Sequence, residues 1–176
     1  MNNQPQTESL SFPQAIALTQ SLMEQIEAGK LSEDEIERQV GSILKNKNGG
    51  RGFFVSYFTS DMSLADNPST GIINGLKSST ELVSELLIKN LAMSSAMIIA
   101  HRRNNDLDKA EGSQKVHLRT KNSIQQLNWS ENKDRLLELQ RTIKTGNGEY
   151  QSFLERWNYD AEQQLAIEEA IVNVLA

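Results

Sequence analysis

Apolar side chains recur every three or four positions along most of the chain, which is the period of an amphipathic helix. Two segments near the N-terminus, residues 12–28 and 32–45, show this period clearly. In the first of them, Leu18, Leu22 and Ile26 mark the apolar face. The linker between the two segments is short, and such a linker predicts an antiparallel helical hairpin.

The segment of residues 79–103 has the strongest apolar pattern. It contains a run, residues 91–100, without charge, glycine or proline, and this run predicts a helix that its neighbours shield on nearly all sides. A run of this length covers about 15 Å, half of the roughly 30 Å of a bilayer core, which favours a protein core over a membrane span. The candidates for its N-terminal cap are Ser78, Ser79 and Thr80.

Four of the ten aromatic residues fall within residues 52–59, at Phe53, Phe54, Tyr57 and Phe58. This composition is typical of a strand, but the chain offers no second strand to pair with it, which favours a short helix. The pattern alone leaves the choice between helix and strand open. We expect at least two of the four side chains to be buried, because four exposed aromatic groups would lower the solubility of the protein.

Irregular stretches lie on both sides of the aromatic segment. Residues 45–52, rich in Lys, Asn and Gly, predict a flexible connection, and residues 61–70 predict a long loop. An adaptable loop beside a rigid helix is a common arrangement for recognition, so we hypothesise that residues 52–77 form the functional surface. The predicted partner-binding residues are Phe53, Tyr57, Asp61, Asp66 and Asn67.

Residues 104–112 are polar and predict a connection that is also a candidate subdomain boundary. Apolar periodicity then predicts a series of helices up to the C-terminus. On the first of these helices we expect His117, Arg119 and Lys121 to face the solvent. The predicted helices are residues 114–127, 130–143, 150–157 and 160–175.

Together these patterns predict a mainly α fold, a bundle of six to eight helices around the buried helix of residues 79–103. Residues 1–10 are polar and predict a disordered tail. Residues 11–176 predict a single helical domain.

The net charge of the chain limits the classes of partner that it can bind. The chain has 18 Lys and Arg against 23 Asp and Glu, a net charge of −5, which argues against broad binding to nucleic acid or to a membrane surface. One stripe of cationic residues is an exception to the acidic net charge. The acidic residues Asp106, Asp108 and Glu111 interrupt it. The stripe consists of Arg102, Arg103, Lys115, Arg119 and Lys121.

The chain has no cysteine, and its first residues lack the basic start and apolar run of a secretory signal. A protein without cysteine fits a reducing compartment. We therefore expect a cytoplasmic protein.

Catalytic patterns are sparse. The two histidines are His101 and His117, and the common metal-binding, nucleophile and phosphate-loop motifs are absent from the sequence. His101 would favour the negative end of the helix dipole, so a structural role is the stronger interpretation. In the alternative, His101 lies at a pocket mouth and acts with Asp61 and Asp66 as an acid–base set. No metal ion or cofactor is predicted.

These observations favour a non-enzymatic protein-interaction or regulatory factor with a protein partner. The alternative is a small-ligand-binding protein or an enzyme with His101 at the pocket mouth. Between Leu165 and Ala176, apolar residues occupy more than one face of the predicted helix. We therefore also expect a homodimer formed through the C-terminal helix.

Overall fold

The computed structural model describes residues 9–176, which form nine α-helices and no strand. The prediction of a mainly α bundle is confirmed, although the described range holds nine helices rather than six to eight. The tail predicted over residues 1–10 lies mostly outside the described range, and Leu10 packs partly against the core. The helices are α1 (Phe12–Glu27), α2 (Glu33–Ile43), α3 (Lys47–Thr59), α4 (Thr70–Lys77), α5 (Thr80–Arg103), α6 (Leu107–Leu127), α7 (Ser130–Thr145), α8 (Gln151–Trp157) and α9 (Ala161–Leu175), with a 3-10 turn at Ser63–Ala65.

Three of the helices begin with a complete capping box. The hydroxyls of Ser11 and Ser32 and the carboxylate of Asp160 each accept a hydrogen bond from a backbone N–H of the first turn. In each case a Gln or Glu three positions later accepts a hydrogen bond from the backbone of the capping residue, which completes a capping box. The starts of α1, α2 and α9 therefore follow from local sequence.

Helix α5 lies at the centre of the bundle, and α3, α6, α7 and α9 all pack against it. Leu87 and Leu91 are completely buried. The small residues Ala92 and Ala96 are also fully buried, and the Gln163 amide of α9 donates a hydrogen bond to the Ala96 carbonyl at 3.2 Å. The predicted role of this segment as the core helix is confirmed.

Helix α5 also has the length and composition to cross a membrane, since its most apolar window of 18 residues has a mean hydropathy of 1.5. Of its most apolar window, 61% is buried inside the bundle. This burial is what the core helix of a soluble protein shows.

The side chains at the start of α5 do not form the capping hydrogen bond that the sequence predicts. Ser79 is the capping residue, but its hydroxyl bonds no N–H of α5 and instead donates to the Leu44 carbonyl at the end of α2, at 3.1 Å. The hydroxyls of Ser78 and Thr80 donate to carbonyls in the last turn of α4. All three hydroxyls thus donate hydrogen bonds to backbone carbonyls at the ends of preceding helices.

The aromatic segment is helical, as the absence of a pairing strand in the sequence suggested. Phe53, Phe54, Tyr57 and Phe58 lie on α3 and are at most 2% exposed. Their rings pack on one another, with neighbouring centroids 5.1 to 5.5 Å apart. All four side chains therefore belong to the core.

Helix α3 begins inside residues 45–52, so the prediction of a flexible connection there is wrong. Its glycines lie where other helices approach closely. A Cβ atom on Gly52 would lie 2.5 Å from the Cβ of Ala15, and one on Gly50 would lie 2.8 Å from Cδ1 of Leu86. These glycines permit close packing against α1 and α5.

Helix α6 begins at Leu107, so the connection predicted over residues 104–112 is shorter than expected. Helix α6 packs along α5. On the packed side Arg119 is only 3% exposed, and the prediction that it faces the solvent is wrong. His117 is partly buried for the same reason. The organisation as a single domain stays a prediction.

Candidate functional site

A groove of about 690 Å³ crosses α5 between α3 and α8. Five cationic and two acidic side chains line it, whereas the whole chain has a net charge of −5. The groove is therefore a positive region on an acidic protein. Its charged residues are Lys47, Arg51, Lys89, Arg135, Arg156, Glu85 and Glu149, and its aromatic residues are Phe12, Phe54, Tyr150, Phe153 and Trp157.

Three elements each present side chains to the groove at intervals of four residues, so successive helical turns contribute to the same face. In every series the first residue is charged and the last is apolar. The series are Lys47, Arg51 and Val55 on α3; Glu85, Lys89 and Met93 on α5; and Glu149, Phe153 and Trp157 in and just before α8.

The three series run in the same direction. Their first members meet where Nζ of Lys47 lies 3.8 Å from Oε1 of Glu85. Their second members meet where Nζ of Lys89 lies 5.8 Å from the ring centroid of Phe153. The groove therefore has a polar end at Lys47 and an apolar end at Trp157.

At the polar end one carboxylate serves two lysines. Glu85 lies 2.7 Å from Lys89 as well as close to Lys47. The hydrogen bond from Lys89 holds the pKa of Glu85 below its ordinary value against the opposing effect of burial, so Glu85 is ionised at neutral pH. Arg51 forms no ion pair with any residue from 9 to 176. Positive charge is therefore in excess at this end.

Arg135 and Tyr150 form the wall beside Glu85. Arg135 pairs with Glu131 one turn away, at 3.1 Å. The Tyr150 hydroxyl is buried and forms no hydrogen bond of acceptable geometry within the described part of the chain. Burial raises the pKa of Tyr150, and the nearby Arg135 guanidinium opposes the rise. Tyr150 is thus a neutral hydroxyl beside the Arg135 guanidinium.

Two arginines of the groove lie over aromatic rings. Cζ of Arg51 is 5.0 Å from the ring centroid of Phe12, and Cζ of Arg156 is 5.8 Å from that of Trp157. Stacking of this kind positions a guanidinium while its N–H groups stay available for an anion.

The apolar end combines exposed side chains from different helices. Val55 is 45% exposed and Trp157 is 47% exposed, although both are large apolar groups. Met93 contributes a flexible thioether side chain to the same groove. Exposed apolar groups that converge in one groove indicate a docking surface more strongly than scattered ones do.

A second depression, of about 540 Å³, lies between α1 and α2. Its one charged side chain is Lys45, and it is bordered by Ser9, the first described residue. No aromatic side chain is among its lining residues from Ser9 onward. The groove between α3 and α8 is the better-defined candidate.

The predicted partner-binding aromatics lie beneath the surface. Phe53 and Tyr57 are 2% and 1% exposed, so neither side chain can contact a partner in this conformation. The Tyr57 hydroxyl donates to the Leu64 carbonyl at 3.3 Å, and burial raises the pKa of Tyr57. Asn67 is exposed on the loop before α4.

Asp61 and Asp66 are both bound to α6. Nε and Nη2 of Arg119 lie 2.9 and 3.1 Å from the two carboxylate oxygens of Asp66. Asp61 accepts a hydrogen bond from Lys115 at 3.2 Å. The hydrogen bond from Arg119 lowers the pKa of Asp66. These carboxylates therefore anchor the loop to α6.

Arg119 also binds the main chain of the same loop. Its guanidinium donates to the carbonyls of Phe58 at 2.9 Å, Ser60 at 2.7 Å and Met62 at 2.9 Å. We call this set of contacts, together with Asp66, the Arg119 clamp. A loop that the sequence predicts to be adaptable is thus fixed by one buried side chain.

His101 lies in the last turn of α5 and is partly buried. Asp61 and Asp66 form their hydrogen bonds with α6, and within residues 9–176 no hydrogen bond joins either carboxylate to His101. His101 is also not among the residues that line the groove. Over the described range, no group of three His, Asp or Glu side chains is placed to hold a metal ion.

His117 joins α6 to α5. Its Nδ1 atom lies 3.2 Å from the hydroxyl of Ser95 and 3.5 Å from that of Ser94. Burial lowers the pKa of His117, with a smaller contribution from Lys121, so the neutral imidazole is favoured. The contact is structural.

The predicted stripe of cations is largely engaged with other parts of the chain. Arg103 forms ion pairs with Asp160 and Glu162 of α9. Lys115 and Arg119 bind the loop before α4. These three side chains are therefore not a free surface for phosphate groups.

The groove was not predicted from the sequence, although part of its residue spacing is present there. Lys47, Arg51 and Val55 have the four-residue spacing of a helix face, but the glycines among them suggested flexibility. Phe153 and Trp157 have the same spacing in a segment that was predicted to be a short aromatic helix. What the sequence does not show is that these two faces meet.

Fold and groove together define an all-α helical bundle with a basic and aromatic surface groove. Over residues 11–174 the chain matches the family described as uncharacterised conserved protein UCP020893, and it belongs to that family. Comparisons with curated proteins and with solved structures gave no match.

Proposed function

We propose that this protein is a non-enzymatic protein-interaction factor with a regulatory role, and that it docks a segment of its partner in the groove between α3 and α8. The observation that carries the proposal is the exposure of Val55 and Trp157 at one end of a groove whose other end is cationic. Trp and Arg side chains dominate the binding energy of many interfaces, and the lining of the groove includes Trp157, Arg156 and Arg51.

The side chains of the groove suit binding better than proton transfer. Both histidines of the chain lie outside it. The pKa of Glu85 is lowered by Lys89, whereas a general acid that works at neutral pH needs a raised pKa. Charged groups of fixed ionisation, as found here, serve recognition and orientation.

We propose the cytoplasm as the place of action. The chain has no cysteine, which suits a reducing compartment. Its most apolar helix, α5, is largely buried within the bundle.

Comparative affinity capture tests the docking surface. The baits are the parent protein, two groove variants, Arg51→Glu and Trp157→Ala, and two controls, Lys133→Glu and Leu107→Ala. Lys133 and Leu107 are exposed and lie outside the groove, so the controls repeat a charge reversal and the truncation of an exposed apolar side chain elsewhere. We expect at least one partner to be captured by the parent and both controls and lost by both groove variants. Retention of every partner by groove variants that circular dichroism shows to be folded would contradict the proposal.

A second candidate function is the binding of a small anionic ligand. The groove volume of about 690 Å³ lies within the roughly 300–1,000 Å³ typical of small-molecule pockets. The cationic end would hold the anionic group and the apolar end would hold the body of the ligand.

A further inference from the structure

We infer that the docked partner segment is an amphipathic helix that places acidic side chains at the Lys47 end of the groove and a large apolar side chain at the Trp157 end. This inference rests on the proposed docking function and adds the chemistry of the segment that docks. Three properties of the groove lead to it: its charge, its apolar end and the spacing of its lining residues.

The charge of the groove selects an acidic segment. At the polar end Glu85 is shared by Lys47 and Lys89, and Arg51 has no carboxylate partner among the described residues. An incoming carboxylate would find N–H donors there that are already positioned. A basic segment would instead add positive charge to the existing excess.

The apolar end selects a large apolar side chain. Val55 and Trp157 are about half exposed, and covering them removes apolar surface from water. Arg156 stacks on Trp157 and limits the freedom of the indole. A side chain that enters beside Trp157 therefore meets a surface that is already ordered, which lowers the entropic cost of binding.

The spacing of the lining residues selects a helix. Lys47, Arg51 and Val55 span eight positions of α3, which is about 12 Å at 1.5 Å per residue. A partner helix covers the same length with acidic residues on two successive turns and an apolar residue on the third. Helices that dock in grooves commonly present their anchors with this four-residue spacing.

Direct binding of designed peptides tests the inference. The probe is a fluorescein-labelled, alanine-based helical peptide with glutamates one and two turns from a tryptophan. One control peptide has the same composition in scrambled order, and the other has lysines in place of the glutamates. Fluorescence anisotropy measures the dissociation constant for the parent protein at low and at physiological salt.

We expect saturable binding of the acidic peptide that weakens as salt rises, because exposed charges are screened. Lys47→Glu, Arg51→Glu and Trp157→Ala should each weaken binding about tenfold or more. Lys133→Glu and Leu107→Ala should leave it unchanged. Lys47 is exposed in the first turn of α3, where a glutamate is well tolerated, so this variant should fold normally.

Equal or tighter binding of the scrambled or lysine peptide, or no binding of the acidic peptide, overturns the inference. If the groove variants still lose their captured partner in that case, the docking function stands and only the chemistry of the segment is wrong. Dodecanoate is tested in parallel, and its saturable binding without peptide binding would assign the groove to a small anionic amphiphile. Light scattering that shows oligomers abolished by Lys47→Glu would make a second copy of the chain the occupant, which also overturns the inference.

Discussion

Arg119 holds Asp66 by both carboxylate oxygens, with Nε 2.9 Å from Oδ1 and Nη2 3.1 Å from Oδ2. The Arg119 side chain is 4% exposed, whereas that of Asp66 is 47% exposed. The cation is therefore buried while the carboxylate still meets the solvent. This bidentate geometry is the strongest form of an arginine–carboxylate pair, and it joins α6 to the loop before α4.

Replacing Arg119 by Met should destabilise the protein markedly. The change leaves Asp66 and three main-chain carbonyls without their donor, and loss of one partner from a buried network costs about 3–5 kcal/mol. Urea denaturation followed by circular dichroism measures the free energy of unfolding. Arg141→Met, which removes an exposed ion pair with Glu138, is the control and should have a much smaller effect. Similar effects of both substitutions would mean that the Arg119 clamp does not stabilise the fold.

Gly52 and Gly112 both lie inside helices, but alanine should have opposite effects at the two positions. No atom lies within 4 Å of a Cβ on Gly112, so Gly112→Ala should stabilise α6 by about 0.5–1 kcal/mol. A Cβ on Gly52 would lie 2.5 Å from the Cβ of Ala15, so Gly52→Ala should destabilise by about 1–3 kcal/mol. Thermal unfolding of the two variants gives the signs. A stabilising Gly52→Ala would contradict the close packing of α1 on α3.

His117 should make stability depend on pH just below neutrality. Burial lowers its pKa from 6.5 in the folded state, so the unfolded chain binds the proton more readily. The stability contributed by neutral His117 is therefore complete above pH 6.5 and is lost as the pH falls below that value. Unfolding free energies measured between pH 7.5 and about 5 should show this slope, and His117→Gln should reduce it. An unchanged slope in the variant would assign the effect to another group.

The C-terminal helix should mediate self-association. Leu165, Val172 and Leu175 on α9 remain 54%, 55% and 36% exposed in the described chain. We expect light scattering to show a dimer whose mass falls to that of the monomer in Val172→Glu. Leu107→Glu, at a more exposed position on α6, should leave the mass unchanged. A monomeric parent protein at high concentration would contradict this prediction.

The parts of the fold that could be predicted from sequence are those with local causes. Ser11, Ser32 and Asp160 bond backbone groups within their own helices, so their positions mark helix starts in the sequence itself. Ser79 looks equally suitable as a cap, but its hydroxyl bonds Leu44 from a different helix. Whether such a hydroxyl accepts from a local N–H or donates to a distant carbonyl is decided only by the packed structure.

The candidate site depended on distant contacts and was therefore harder to predict. Arg119 resembles a solvent-facing cation until the carbonyls of Phe58 and Ser60, far away in the sequence, are placed around it. The sequence favoured a helix for the aromatic cluster but left a strand open, and its spacing could not show that Phe53 and Tyr57 face the core. The groove brings together five helices from different parts of the chain, so no single segment contains its pattern.

Three of the Arg119 hydrogen bonds end on main-chain carbonyls, those of Phe58, Ser60 and Met62. A main-chain acceptor is present whatever side chain the residue bears. The exposed side chain of Ser63 can therefore be exchanged while these three bonds remain in place. The loop is a site where a foreign recognition sequence can be displayed in a defined shape, with its conformation set from α6 and its chemistry left to the designer.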